Sequence, residues 1–120
     1  MSRSLFLAVA LVFTVANTSA KSPAWTPAGD NIRTRWAAQV NPKAPLPEYP
    51  RPQMVRSEWL NLNGLWNYGI TEAASADFSV EGQILVPFAV ESSLSGVARS
   101  VTETEALWYE RNFTVPSAWK

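Results

Sequence analysis

The sequence predicts an all-β fold, a β-sandwich of short strands lying behind an export signal and a proline-rich extended segment. Three observations predict it. Apolar residues alternate with period two in the runs 65–70 and 107–115, Ile84-Leu85-Val86 forms a short apolar run stopped by Pro87, and only one weak helical signal follows residue 20. With 120 residues the chain holds at most one modest domain.

Residues 1–20 read as a signal peptide. Arg3 supplies the positive start, 5–15 is an uncharged apolar run, and Thr18-Ser19-Ala20 offers the small residues of a cleavage site, which makes Lys21 the expected mature N-terminus. The apolar run is shorter than the roughly 20 residues of a membrane span, and no Lys or Arg flank follows it to retain an uncleaved anchor. The expected location is therefore exported, either periplasmic or extracellular. Cleavage leaves nine basic against ten acidic side chains, scattered without a basic stripe, so no nucleic-acid partner is expected. No later run reaches membrane-spanning length, and the absence of cysteine leaves folding to apolar burial alone.

Residues 21–58 form the lead-in. Pro23, Pro27, Pro42, Pro45, Pro47, Pro50 and Pro52 remove backbone donors and hold their neighbours out of the helical region. Asp30 is placed to cap a short helix carrying Ile32, Trp36 and Val40 on one face, ended by Pro42. The stretch 42–52 is expected as polyproline-like chain, either docked on a surface through Leu46 and Tyr49 or running as a linker.

The globular part is assigned to 59–120. Asn63-Gly64 predicts a tight turn between 60–62 and a strand over 65–70, in which Trp66, Tyr68 and Ile70 share a face. Residues 71–82 read as a loop and 84–86 as a strand, and the serine-rich stretch 88–105 reads as a long connection of the kind that carries function. In the last strand Leu107, Tyr109, Phe113 and Val115 fall on one side with Arg111, opposite Trp108, Glu110, Asn112 and Thr114. Three or four such strands make a sheet whose apolar face needs a covering layer, and 59–120 contains none; the expected domain is an incomplete sandwich.

The absence of His and Cys excludes a Ser-His-Asp triad, a Cys-His nucleophile and His or thiolate metal sites; no cofactor and no metal site is expected. The five glycines match no phosphate or dinucleotide loop. Glu103 and Glu105 read as a solvated pair rather than a catalytic dyad, and no residue is assigned a catalytic role. The candidates for substrate contact are Glu91 and Ser92, just past the apolar 84–88 stretch, and Trp36. The simpler reading of Glu91 is a surface carboxylate or a cap for the Ser-Ser turn. Trp25 and Trp36 are free to reach a ligand or neighbour, whereas Trp59, Trp66 and Trp108 are assigned to packing. Asn112-Phe113-Thr114 matches a glycosylation acceptor, but inside a strand the match reads as coincidental.

Three blocks carry a resemblance. YPRPQMVRSEWLNLNGLW at 49–66 resembles the opening of the N-terminal sugar-binding domain of family 2 glycoside hydrolases, with Arg56, Trp59 and Leu62-Asn63-Gly64-Leu65-Trp66 as the matching residues. ILVPFAVESSLSGV at 84–97 is similar to the family's Val-Pro strand end, here Val86-Pro87. LWYERNFTVPSAW at 107–119 is similar to its Trp-Tyr-x-Arg-x-Phe strand at Trp108, Tyr109, Arg111, Phe113, Val115, Pro116 and Trp119.

The likeness spans 45–120 and implies a jelly-roll, galactose-binding-like sandwich, followed in the family by an immunoglobulin-like domain and a barrel that supplies both catalytic glutamates of a retaining β-glycosidase. On this reading the chain contributes scaffold to a parent enzyme acting on carbohydrate and is inactive alone. A loop such as 91–99 helps shape the pocket, and Arg111 pairs internally. A free-standing carbohydrate-binding module and a gene fragment without activity are the two alternatives.

Overall fold

The computed structural model describes residues 24–75 and 77–119. The signal-peptide assignment at 1–20 lies outside them. Among the described residues there is no α-helix and no helix long and apolar enough to cross a membrane.

Three strands form one antiparallel sheet: β1 (Gly64–Glu72), β2 (Gly82–Val86) and β3 (Glu105–Glu110), ordered β2-β1-β3. The register runs from Gly64↔Val86 to Tyr68↔Gly82 on one side of β1 and from Asn67↔Glu110 to Glu72↔Glu105 on the other. Because side chains alternate along a strand, this register gathers Trp66, Tyr68, Ile70, Ile84, Val86, Leu107 and Tyr109 on one face. Leu65, Asn67, Gly69, Thr71, Gln83, Leu85, Ala106 and Trp108 share the other. The architecture is thus β-type, as the alternation predicts.

The buried apolar core is small: Ile70, Ile84, Leu85 and Val90. One segment covers part of the second face. Residues 73–81 fold back so that the Ser79 carbonyl and the Phe78 ring lie over Gly69, and Phe78 packs on Trp108 with ring centroids 6.4 Å apart. The carboxylate of Glu81 accepts the Ile70 N–H at 3.0 Å, and its own N–H donates to the Tyr68 carbonyl at 2.9 Å. On the other face Ile70 and Ile84 are buried while Tyr109 keeps 43% of its surface exposed; beyond the end of β3, Phe113 and Val115 keep 56% and 45%.

Four expectations are corrected. The helix expected from Asp30 is a 3₁₀ turn at Arg35–Gln39, with Thr34 before it, no side-chain cap and Ile32 fully exposed; so short a segment has too few hydrogen bonds to repay α-helix nucleation. Asn63-Gly64 is not a hairpin turn. Gly64, at φ 134°, opens β1 directly, and 60–62 is not a strand. Trp59, expected beside a strand, lies five residues ahead of β1, its ring centroid 4.9 Å from that of Tyr49. The last strand begins two residues early and stops at Glu110 rather than Val115.

Arg111 gives the reason for that stop. Its guanidinium donates to the carbonyls of Leu62 and Asn63, the latter at 3.0 Å, and lies 5.9 Å from the Trp66 ring centre. It fills the space beside Gly64, where a Cβ would come within 3.1 Å of its nitrogen. A side chain thus serves the carbonyls just ahead of β1, and the chain of β3 leaves the ladder.

The proline-rich stretch docks rather than running free. Asn61 donates to the Leu46 carbonyl at 3.0 Å, and Asn63 to those of Pro45 and Leu46 at 3.3 Å, which clasps the neck of the loop 46–61 around buried Pro45.

Candidate functional site

The stretch after β2 is held by a series of hydrogen bonds between serine side chains and the backbone. A 3₁₀ turn, Ser93–Ser95, is capped by Ser92, whose Oγ accepts the Leu94 N–H at 3.2 Å. Ser95 is fully buried. Its Oγ donates to the Ser92 carbonyl at 2.7 Å, with the Val90 carbonyl at 3.0 Å, and accepts from Val97 and Ala98 N–H at 3.0 and 3.3 Å. Gly96 ends the turn at φ 83°, a conformation open to glycine, and the Trp25 indole lies 2.9 Å from where a Cβ would stand. The lead-in is tied on by Ala28, whose N–H donates to the Ser93 carbonyl at 2.9 Å and whose carbonyl accepts the Ser93 hydroxyl. Asn31 donates to the Glu91 carbonyl at 2.9 Å.

This accounts for the sequence candidates one by one. Ser92 spends its hydroxyl on the cap. Glu91 is exposed, anchored through its backbone with its carboxylate free of that bond. Trp36, 56% exposed, lies under the Arg35 guanidinium at 4.5 Å and lines an open groove of about 420 Å³ with Val40, Phe88 and Leu94. Glu91 and Ser92 do not line that groove, so the three candidates do not converge on one point. Glu105 accepts from the Thr102 N–H at 2.9 Å and pairs with Arg99. Its carboxyl is held below the ordinary value first by that backbone hydrogen bond and further by the Thr102 hydroxyl and the Arg99 charge. This is a loop clasp, with Arg99 also 3.8 Å from Glu81.

A site that the sequence reading did not assemble lies on the apolar sheet face. Trp66 of β1 and Tyr109 of β3 meet edge to face with centroids 6.4 Å apart, and Val86, Pro87, Phe88 and Ala89 complete an open cleft of about 340 Å³. The Trp66 indole is fixed by donation to the Leu62 carbonyl at 2.8 Å. Partial burial, and then the negative charge of Glu91, push the Tyr109 phenol above its ordinary value, so it stays protonated and able to donate. One signal could have revealed this cleft. Antiparallel pairing of the first and third blocks places Trp66 and Tyr109 on the same face, diagonal to one another and two residues out of register.

Two aromatic rings, aliphatic walls and a phenol suit packing against an apolar surface, including the carbon face of a sugar ring. They do not constitute an acid–base pair. Among the described residues, no group of three acidic side chains gathers where it could hold a metal ion. No protein-family model matches the chain, and no curated protein matches its sequence.

Proposed function

We propose that the chain is the N-terminal segment of an exported glycoside hydrolase of the family 2 type, contributing jelly-roll scaffold and substrate-side surface rather than catalytic carboxylates. One observation carries the reading. Each of the three sequence blocks that resemble the family includes residues of a separate strand, and residues from all three line one cleft: Trp66, the Val86-Pro87 strand end, and Tyr109.

In that reading the open face with Trp66, Tyr109, Phe113 and Val115 receives the rest of the sandwich, and Glu91 reaches toward the carbohydrate from the loop above it. Ser92 holds that loop in shape, and Trp36 lines the neighbouring groove. The catalytic pair comes from a barrel that follows in the parent enzyme.

The test uses the complete gene product. It is expected to release the chromophore from a nitrophenyl β-glycoside, while the 1–120 chain alone releases none; Glu91→Gln is expected to raise KM about tenfold at nearly unchanged kcat, a loss of about 1.4 kcal/mol of uniform binding. A complete product inert on galactoside, glucuronide and mannoside substrates overturns the reading. Exposed Trp36 on its groove supports one alternative, a free-standing carbohydrate-binding module. That alternative requires the isolated chain to bind a glycan in calorimetry and to lose binding in Trp36→Ala.

A further inference from the structure

The triplet Asn112-Phe113-Thr114 satisfies the Asn-x-Ser/Thr acceptor pattern, with x not proline. A position inside a strand would hide it, because the amide must leave its sheet to enter a transferase. The structure removes that obstacle. β3 ends at Glu110, residues 112–114 are all exposed, and no backbone hydrogen bond ties 112–115 to another described segment. The departure is built in, since Arg111 is held by the carbonyls of Leu62 and Asn63 and the triplet follows immediately. Pro116 then ends any return to the ladder, having no N–H to offer.

We propose that Asn112 is an N-glycosylation site, used when the chain passes through a secretory compartment that holds an isoprenoid-pyrophosphate-linked oligosaccharide. The bond from sugar C1 to the pyrophosphate oxygen breaks, and C1 bonds to the Asn112 Nδ2. That nitrogen loses one proton, and the isoprenoid pyrophosphate departs. The Thr114 hydroxyl is the recognition element of the triplet. Asn112 lies two residues past the end of β3, outside the ladder and exposed. A glycan there adds a bulky hydrophilic shield at the end of an edge strand, where an unpaired chain otherwise invites association.

The proposal rests on the export reading, and the test separates the two. The full chain is translated with rough microsomes, alone and behind a leader of proven function. Protection from added protease reports entry, and an upward mass shift removed by an N-glycan endoglycosidase reports modification. The expected result is a shift of one oligosaccharide, lost in Asn112→Gln and in Thr114→Ala and kept in Thr114→Ser. Protection without a shift overturns the proposal even if export stands. A shift that survives Asn112→Gln also overturns it, because the remaining acceptor triplet, Asn17-Thr18-Ser19, would then be the modified one. Entry only behind the added leader, followed by the Asn112 shift, sustains the proposal and removes the export reading.

Discussion

Substituting Gly69 with alanine probes the packing of the sheet most sharply. The new methyl carbon would stand 2.1 Å from the Ser79 carbonyl oxygen and 3.1 Å from the Phe78 ring, and the first of these is a backbone atom that no rotamer change can move. The segment 78–81 must lift. Overpacking of this kind costs about 1–3 kcal/mol. Lifting also strains the two hydrogen bonds that Glu81 makes across to Tyr68 and Ile70, each worth about 0.5–1.5 kcal/mol. A central value is about 3 kcal/mol, or roughly a hundredfold in the opening equilibrium of β1. Gly82→Ala is the control, because its added carbon meets the Tyr68 ring at 3.4 Å, an ordinary contact. Amide hydrogen exchange at the paired residues of β1 and β2, in a stabilising osmolyte, reads both. Protection is expected to fall about a hundredfold in Gly69→Ala and less than about tenfold in Gly82→Ala. Equal losses in the two variants would refute the placement of 78–81 over Gly69.

Three further expectations use the same exchange assay. Arg111→Ala leaves the Leu62 and Asn63 carbonyls without their donor and the Trp66 ring without its cation; the expected cost is about 2–3 kcal/mol at the head of β1, with Arg111→Lys recovering only part of it. Ser95→Ala strands the Val97 and Ala98 N–H groups in a buried turn, and protection of the Arg99 amide, bonded to the Val90 carbonyl at 3.2 Å, is expected to drop by about 1–3 kcal/mol. Glu105 makes the clasp of 99–105 sensitive to pH. Its folded pKa lies below its unfolded one, so the unfolded state binds more protons in acid; the stabilisation is present above the ordinary glutamate value and is lost as pH falls through the folded value. Exchange across that acid range is expected to flatten in Glu105→Gln, and an unchanged pH profile would contradict the clasp.

What the residue pattern reveals and what it hides have physical causes. The strands at Trp66-Tyr68-Ile70, Ile84-Leu85-Val86 and Leu107-Tyr109 are legible because period-two alternation follows directly from the pleat. The end of β3 is not legible, since Phe113 and Val115 continue the alternation while a side-chain event at Arg111 takes the chain out of the ladder. Asn63-Gly64 misleads for a related reason. Positive φ at glycine fits a turn, but it serves equally well where Gly64 starts a strand beside a guanidinium. Of the candidate residues, Ser92 and Glu91 owe their selection to their place after an apolar stretch, which marks the loop but not the direction of each side chain. The cleft between Trp66 and Tyr109 depends on register between segments about forty residues apart, which no local pattern encodes.

The proposal of a sandwich scaffold requires that the sheet face carrying Trp66 and Tyr109 receive a further covering layer. Binding of an apolar-surface dye to the purified chain, followed through a thermal melt, tests it most directly. Strong dye fluorescence at low temperature, weakened by Tyr109→Ser and Phe113→Ser, is expected together with a broad unfolding transition. A compact monomer that leaves the dye dark and melts in one sharp step would contradict it.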